Sequence, residues 1–378
     1  MRVVVTAPWG ERLGGAEAML QALLEGREEH QHEVEVVFFA DGPWPRELRE
    51  AGVPVTVIPA GRLREAGRWL ATVRALARLF RGRQPDVILN WAAKTQLYGS
   101  PAAVLAGMAD RVVWWQHAIP KRSWLDSAAT LLPAQAIGCT SPHTVPAQAR
   151  LFPRRRTFVV AAGTPPPDPA SAPASLELPS GVPIVGLVGR LQPWKGQDQL
   201  LRAQAILAER GQPMHTVIVG GDSYERSPEY AATLAPLARS LGIADAVTMT
   251  GEVPDAGPYV ERMDILVNAS DPEPFGIVIL EAMARGVAVV AVNSGGPALF
   301  VEDGRTGMLA RSGEPQALAD ALEPLLLDPG LRAQIGRSGH ERYLEEYTTA
   351  AMRKRLFSSL QELVDERRSR SGGAAPRR

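Results

Sequence analysis

The sequence predicts an α/β protein built from two Rossmann-like domains, each a parallel sheet with helices on both faces. Short apolar runs typical of buried strands alternate with stretches of helical periodicity along the whole chain. With 378 residues, the chain exceeds the roughly 250 residues at which a single hydrophobic core stops growing. A segment rich in Pro, Ala and Ser, residues 163–183, divides it into two halves and is typical of a semi-rigid linker.

The first predicted domain covers residues 1–162. Its apolar runs predict strands at residues 2–6, 34–39, 54–58, 86–90, 111–116 and 136–140. Apolar residues at helical spacing predict helices near residues 15–26, 62–82, 93–107 and 142–150.

The second predicted domain covers residues 184–345 and restarts the same alternation. Its strands are predicted at residues 184–189, 215–220, 246–249, 264–268 and 287–292. Its helices are predicted near residues 196–210, 228–241, 276–285 and 314–326. A last helix is predicted within residues 346–366, and the polar tail at 367–378 is predicted to be disordered.

Charge is distributed unevenly although it sums to zero. Residues 1–162 carry 20 Arg and Lys against 14 Asp and Glu, a net of +6, and the remainder carries a net of −6. Many of these arginines fall in the predicted helix at 62–82. That helix presents either a solvated face or a basic surface toward anionic lipid or an acceptor phosphate.

Cysteine content and hydropathy indicate the compartment. The single cysteine, Cys139, excludes a disulfide framework and suits a reducing environment. The apolar start at residues 2–7 is too short for a signal peptide, and no run approaches the ~20 apolar residues of a membrane span. We therefore expect a cytoplasmic protein, with peripheral contact at the inner membrane face through the basic helix.

Two carboxylates, Glu273 and Glu281, stand eight residues apart around the sequence Pro-Phe-Gly-Ile. Glu273 follows a predicted strand, and Glu281 lies inside the next predicted helix, so both can face one ligand. Gly276 at the start of that helix leaves amide N–H groups free, a natural site for phosphate. Alone, the pattern also fits an ordinary strand-loop-helix with two solvated glutamates.

An earlier motif places two cations after the strand at 184–189. Gly189 and Arg190 are followed, after four residues, by Lys195 and Gly196. Ligands of open α/β sheets bind at the carboxyl ends of strands. Two fixed cations at that edge suit a diphosphate, which needs its charge neutralised. A surface Arg and Lys at a turn is the alternative, but the two motifs together argue against coincidence.

The first domain offers two further candidates. Gly14 and Gly15 occupy the turn after the first strand, where glycine lets the backbone approach a ligand and the next helix supplies N–H donors. His117 follows the apolar strand at 111–116, so its imidazole is expected at the carboxyl edge of the sheet. Alternatively, the two glycines serve only the geometry of the turn, and His117 is a structural residue.

At this point the chain resembles glycosyltransferase family 4, a family of retaining enzymes with the two-Rossmann-domain GT-B fold. The resemblance rests on the Gly189–Gly196 and Glu273–Glu281 motifs, and the segments Val292–Pro297 and Glu302–Gly307 match as well. It covers essentially the whole chain and is strongest over residues 183–312. The motifs are specific for the family and not for the substrate. The resemblance implies that the two domains face each other across a cleft and that the last helix crosses back to the N-terminal domain.

The resemblance also implies roles for individual residues. A nucleotide-diphosphate sugar donor would bind mostly to the C-terminal domain, and the N-terminal domain would bind the acceptor. Arg190 and Lys195 would stabilise the departing diphosphate, while Glu273 would fix sugar hydroxyls and Glu281 the ribose. His117 matches the family's histidine near the donor sugar. The other implied donor contacts are Gly14, Gly15, Gly189, Gly220, Val253, Phe275, Gly276 and Ile277.

No cofactor and no metal are expected. The sequence shows neither an Asp-x-Asp after a strand nor a set of Cys and His ligands, and in the resembled family protein cations replace a metal. The implied transfer retains configuration through a front-face step in which the departing diphosphate takes the acceptor proton. Donor sugar, base and acceptor stay open, and a lipid-linked, saccharide or small-molecule acceptor would each fit.

Alternative functions are a sugar-nucleotide epimerase of the same fold and a non-catalytic sugar-nucleotide-binding regulator. Neither half contains the Gly-rich dinucleotide turn or the Walker motif, which argues against a dehydrogenase and a phosphate-loop NTPase. A phosphorylase is disfavoured because none of the four lysines lies in a motif that would carry pyridoxal phosphate. Nucleic acid is not an expected partner, since no recognition module is present.

Overall fold

The chain forms two compact units in the computed structural model, which describes residues 1–11, 14–26, 31–120, 123–222 and 227–372. The N-terminal unit comprises residues 1–162 together with the C-terminal segment that begins at Thr349, and the C-terminal unit comprises residues 163–348. Each unit contains a parallel sheet flanked by helices, which confirms the predicted fold class.

The sheet of the N-terminal unit has seven parallel strands in the order β3-β2-β1-β4-β5-β6-β7. The strands are β1 Arg2–Ala7, β2 Glu33–Phe38, β3 Val55–Val57, β4 Val87–Asn90, β5 Val112–Gln116, β6 Ala136–Cys139 and β7 Thr157–Val159. The helices before the domain boundary are α1 Gly15–Leu24, α2 Pro43–Glu50, α3 Ala66–Arg83, α4 Ala93–Ala106, α5 Trp124–Leu131 and α6 Thr144–Ala149.

Continuous apolar strands make the central part of this sheet. Residues of β4 and β5 are buried throughout, as expected for parallel strands covered on both faces. Helix α3 turns Val73, Leu76, Ala77 and Phe80 toward the sheet, a spacing of three and four residues that matches one helix face. These side chains form one core with Tyr98 and Ala102 of α4.

The sheet of the C-terminal unit has six parallel strands in the order β10-β9-β8-β11-β12-β13. The strands are β8 Ile184–Val188, β9 His215–Val219, β10 Val247–Met249, β11 Ile265–Asn268, β12 Ala288–Val292 and β13 Met308–Ala310. The helices are α7 Gln197–Glu209, α8 Pro228–Ser240, α9 Gly257–Val260, α10 Ile277–Ala284, α11 Pro315–Leu327 and α12 Pro329–Arg342.

The segment predicted as a linker, residues 163–183, lies against the C-terminal unit. It contains neither a helix nor an extended strand. The Ala174 amide donates to the Pro258 carbonyl at 2.9 Å, and the Arg262 guanidinium donates to the Ala174 carbonyl at 3.0 Å. These bonds hold backbone groups that Pro-rich sequence leaves without regular partners.

The last helix, α13, runs from Thr349 to Gly372 and belongs to the N-terminal unit. Its Arg353 donates to the Ala22 carbonyl at 3.1 Å. The predicted disordered tail is wrong over residues 367–372, which continue the helix. Arg367 and Arg368 form ion pairs there with carboxylates of the N-terminal unit, Asp110 at 3.7 Å and Asp86 at 3.1 Å. Residues 373–378 lie outside the described residues.

Some elements were not predicted from the sequence. They are the strands β7 and β13 and the helices α2, α5, α9 and α12. The two strands have three residues each. Helix α12 buries only Ile335 and two glycines along fourteen residues, so its apolar periodicity is weak. None of the described helices is long and apolar enough to cross a membrane.

Candidate active site

The two sequence motifs meet because β8 and β11 are neighbouring parallel strands. Val185 and Gly186 of β8 pair with Ile265 and Leu266 of β11, so both strands end at the same edge of the sheet. The loop after β8 carries the cations, and the loop after β11 carries Glu273. Strand β8 has β9, the next strand along the chain, on one side and β11 on the other. The order of the strands therefore reverses at β8, and such a topological switch point is where open α/β sheets bind ligands.

A buried ion pair joins the two motifs. The Lys195 Nζ lies 2.9 Å from Oε2 of Glu273, and the two side chains are 16% and 8% exposed. Asn268, at the end of β11, donates to the same carboxylate oxygen at 3.3 Å. The ammonium also stands 4.1 Å from the centroid of the Trp194 ring. Since an ammonium has three N–H groups, Lys195 retains donors for a ligand while Glu273 holds it in place.

Glycines support the Glu273 loop from the neighbouring strand. The Gly296 amide donates to the Glu273 carbonyl at 2.7 Å, and the Glu273 amide donates to the Ser294 carbonyl at 3.1 Å. Gly295 has φ of +90°, and a Cβ there would collide with the Glu273 carbonyl oxygen. Only glycine gives both that conformation and that approach, which explains the sequence match at Val292–Pro297.

Helix α10 begins at the Glu273 loop. Gly276 precedes it with φ of +96°, and the first amides of a helix, here those of Ile277 and Val278, have no acceptor within the helix. The side chain of Phe275 is buried against Phe300, with ring centroids 5.3 Å apart. The Phe275 amide donates to Oε1 of Glu273 at 3.5 Å. The arrangement can bind an anion at the start of α10.

Glu281 lies on α10, half-buried beside Arg285. Burial raises the pKa of its carboxyl, the positive charge of Arg285 lowers it, and Asp255 adds to the increase. Arg285 donates to the Glu281 carbonyl at 3.1 Å and lies 3.5 Å from Glu261. A desolvated carboxyl group of this kind gains from hydrogen-bond donors such as sugar hydroxyls. Sequence reasoning missed Arg285, because only the helix geometry places it there.

The remaining predicted residues of this unit gather at the ends of β8, β9 and β10. Gly220 has φ of +135°, and a Cβ there would collide with the Gly189 carbonyl. The Gly220 amide donates to the Gly251 carbonyl at 3.0 Å, which brings the loop carrying Val253 to the same edge. Arg190 is half-buried and forms no ion pair with any residue that the structure describes, so its charge is available to a ligand.

The N-terminal unit holds His117 and the glycine turn. His117 Nε2 lies 2.8 Å from the Trp91 carbonyl, and because a carbonyl only accepts, Nε2 carries the proton and Nδ1 is free to accept. Burial lowers its pKa to about 4, against the opposing effect of the Trp91 carbonyl. The imidazole is therefore neutral at pH 7. Gly14 precedes α1, and Gly14 and Gly15 are both exposed.

Lys94 is a candidate that the sequence did not single out. It follows β4, whose neighbours β1 and β5 lead to Trp9 and His117, so the three residues share one edge of the sheet. The Lys94 Nζ lies 4.7 Å from the centroid of the Trp9 ring, and burial lowers its pKa. A half-buried cation on an aromatic face can bind an anionic or polar ligand group. The sequence does not reveal this contact, because Trp9, Lys94 and His117 are far apart in the chain and only the fold brings them to one edge.

Metal ligands do not gather in the part of the chain that the structure describes: no group of three or more His, Cys, Asp and Glu side chains is placed to hold an ion.

Two parallel α/β units, with cations and carboxylates at the carboxyl ends of the strands, define a protein of the GT-B class. Comparison with solved structures gives the same fold. Alr3699/HepE of Anabaena in complex with UDP has a TM-score of 0.81 at 23% identity, over 96% of this chain and 100% of that one. A sucrose-phosphate synthase of Thermosynechococcus elongatus has a TM-score of 0.75 at 20% identity, over 97% of this chain and 99% of that one.

Sequence comparison identifies the family. A model for the glycosyl transferase 4-like domain matches residues 14–163, and a model for glycosyl transferases group 1 matches residues 170–342. The chain belongs to the glycosyltransferase family 4-like proteins.

Curated relatives match the chain in part. The lipopolysaccharide core biosynthesis glycosyltransferase LpsE of Rhizobium meliloti is 33% identical over 179 residues, which are 47% of this chain and 50% of LpsE. The D-inositol 3-phosphate glycosyltransferase of Nocardia farcinica is 40% identical over 201 residues, 49% of this chain and 44% of that protein. The chain spans about half the length of these relatives.

The buried ion pair leads to a stability prediction. We expect Lys195→Met to lower the free energy of unfolding by about 3 kcal/mol, because it leaves the Glu273 carboxylate buried without its countercharge. Adding Glu273→Gln should restore most of the loss. Chemical unfolding of the single and double variants measures both effects. Arg305→Met, which removes an exposed partner of Glu302, should change little. A double variant as unstable as Lys195→Met would attribute the loss to packing of the lysine stem.

The environment of His117 leads to a pH prediction. In an NMR titration of the six histidines, the His117 imidazole should protonate only near pH 4. The unfolded value is about 6.5, so protonation favours the unfolded chain and His117 lowers stability as pH falls from about 6.5 toward 4. His117→Asn assigns the resonance. A His117 pKa near 6.5 would contradict the buried, neutral imidazole.

Proposed function

We propose that the protein is a retaining glycosyltransferase that transfers a hexosyl-type sugar from a nucleotide-diphosphate sugar to an acceptor hydroxyl. The observation that supports this most is the convergence of Arg190, the Lys195–Glu273 pair and the start of α10 at one edge of the C-terminal sheet. Structures of the similar protein Alr3699/HepE contain UDP and UDP-glucose. The proposed product belongs to glycan, lipid-linked or glycoconjugate biosynthesis.

The diphosphate is the group that this edge fits best. Arg190 supplies a guanidinium, Lys195 supplies its two remaining N–H donors, and α10 supplies amides at its positive end. Negative charge on the diphosphate grows as the bond to the sugar breaks, so these donors stabilise the transition state more than the ground state. Removing one of the cations costs about 3 kcal/mol of activation free energy, or about a hundredfold in rate. The proposed transfer therefore requires neither a metal nor a cofactor.

The carboxylates position the sugar and the ribose in this proposal. Glu273 is held by Lys195 and Asn268 and accepts hydrogen bonds from sugar hydroxyls with its other oxygen, together with the backbone of Phe275 to Ile277. Glu281 accepts from the ribose hydroxyls. His117 contributes through the N-terminal unit as a neutral imidazole that accepts at Nδ1. Lys94 and Trp9 are proposed to contact the acceptor.

The proposed chemistry retains configuration at the anomeric carbon. The bond between that carbon and the diphosphate oxygen breaks, and the bond to the acceptor oxygen forms on the same face. The acceptor proton passes to the departing diphosphate, so the step is balanced without a protein nucleophile. Configuration can be read directly: the anomeric proton of the product should show the same coupling pattern by NMR as that of the donor. An inverted product would exclude the front-face step.

A donor screen tests the function. Thermal unfolding should be followed with nucleotide sugars of different bases, in the presence of EDTA. At about a hundred times its Kd, the donor should stabilise the protein by about 2.7 kcal/mol, and the shift should survive EDTA. Arg190→Ala should abolish the shift, because the cation next to the diphosphate is lost. Arg202→Ala, an exposed arginine of α7, is the matched control and should leave the shift unchanged.

The outcomes separate the alternatives. A shift followed by transfer to an acceptor supports the proposal. Release of free nucleotide diphosphate with no glycosylated acceptor favours an epimerase, and binding with no turnover under any acceptor favours a non-catalytic regulator. No shift with any nucleotide sugar would contradict the assigned donor site.

A further inference from the structure

Helices α3, α4, α5 and α6 form a single layer on one face of the N-terminal sheet. α3 and α4 share one hydrophobic core, and α4, α5 and α6 share the next. Right-handed crossovers place α1 and α2, which lead toward β3, on the opposite face. We call the outer surface of α3 to α6, with the segment 150–156 that follows α6, the basic layer.

The segment that contains the basic layer has a large excess of positive charge. Residues 61–156 contain 15 Arg and Lys and only 4 Asp and Glu, a net of +11, whereas residues 1–60 contain 5 and 10, a net of −5. The whole chain is neutral. Helix α13, which contacts α1 through Arg353, adds 6 Arg and Lys against 3 Asp and Glu over residues 349–372, a net of +3. The largest excess of positive charge in the N-terminal unit is therefore in the segment that includes α3 to α6. A field of this kind attracts an extended anionic surface.

The same layer exposes large apolar side chains. The three most exposed of those in the described residues are Phe152 at 81%, Trp124 at 69% and Leu131 at 61%. Trp124 and Leu131 are seven residues apart on α5, so they lie on one face of the helix. Ala129 and Thr130 fill the opposite face, toward the sheet. This is an outward apolar stripe on a helix whose inner side is already packed.

Arg155 fastens the segment that carries Phe152 to the end of α5. Its guanidinium donates to the carbonyls of Thr130, Leu131 and Leu132 at 3.3, 3.3 and 3.0 Å. Phe152 is thus held in the same region as Leu131, and the exposed Arg150 and Arg154 flank it in the chain. Val104 and Leu105 of α4 add two further exposed apolar side chains to the layer.

We propose that the basic layer binds an anionic lipid bilayer, with Trp124, Leu131 and Phe152 entering the interface. Charge of one sign around exposed apolar side chains is the composition of interfacial membrane-binding surfaces, and a Trp indole favours the bilayer interface. A protein partner would need acidic groups matched to each arginine, whereas a fluid anionic bilayer presents phosphate groups across its whole surface.

The proposed contact with the bilayer differs from the one that the basic helix α3 would make by itself. α3 turns its apolar residues inward, and its largest exposed apolar side chain is Leu70. Some of its arginines are engaged, Arg83 with Glu35 at 2.8 Å and Arg81 with the Leu105 carbonyl. α3 therefore contributes long-range attraction, and α5 with Phe152 contributes insertion. The proposal does not rest on sugar transfer, since binding to a bilayer can be measured without a donor.

Flotation of the full-length protein with vesicles tests the proposal. Vesicles of phosphatidylglycerol and phosphatidylcholine should bind the protein, vesicles of phosphatidylcholine alone should bind it at least tenfold less, and 0.5 M salt should release it, since the Debye length then falls well below about 10 Å. The triple variant Trp124→Ser, Leu131→Ser, Phe152→Ser should lower the partition coefficient at least tenfold. Arg150→Gln with Arg154→Gln should lower binding and weaken its salt dependence.

The matched control is Leu327→Ser with Leu344→Ser, two leucines of the C-terminal unit that are 59% and 55% exposed. It should bind vesicles like the parent protein. Thermal unfolding of every variant should match the parent, because all the substituted side chains are exposed. No binding to anionic vesicles, or equal binding of the triple variant, overturns the proposal. A change of oligomeric state in the triple variant without vesicle binding would assign the surface to self-association and overturn it as well.

Discussion

The ion pair between Lys195 and Glu273 is the interaction on which the candidate site of the C-terminal unit depends. It joins the loop after β8 to the loop after β11 with both groups largely buried. Buried charges of opposite sign are costly to separate, so the two loops keep one relative position. The glycines Gly295 and Gly296 allow the Glu273 loop to reach that position, and Gly276 turns it into α10. The two loops of the candidate site are therefore preorganised, and a ligand that binds there would spend little binding energy on ordering them.

Charge differs between two regions of the N-terminal unit. At the strand ends of the N-terminal sheet, burial keeps His117 neutral and lowers the pKa of Lys94, whose ammonium lies over the Trp9 ring. On the helical face of the same unit, arginines are exposed and outnumber carboxylates. One unit thus combines a neutral histidine and a half-buried lysine at the strand ends with a strongly basic outer face.

Much of the architecture follows from the sequence, because strands buried on both faces are continuous apolar runs and amphipathic helices show their period. All eleven strands and all nine helices predicted from such patterns are present in the structure, with ends displaced by a few residues. The three-residue edge strands β7 and β13 were missed, although β3 and β10 have the same length and were predicted. Helix α5 was missed because its most prominent apolar residues, Trp124 and Leu131, face outward. The tail was predicted to be disordered because its composition is polar, and in the structure its first residues continue α13, where Arg367 and Arg368 pair with Asp110 and Asp86.

Local pattern and motif spacing are enough to predict the fold class and the family, and they single out Arg190, Lys195, Glu273 and Glu281 as candidate site residues. How those residues contact one another depends on the folded chain. Pairing of β8 with β11 brings Lys195 to Glu273 across nearly eighty positions, and no local pattern encodes which cation a carboxylate will meet. Tertiary packing also determines four other features of the molecule. They are the burial of the Phe275 side chain, the neutrality of His117, the contact of Lys94 with Trp9 and the exposure of Trp124. Solvent access and proximity are properties of the packed chain, because they depend on residues that are distant in the sequence.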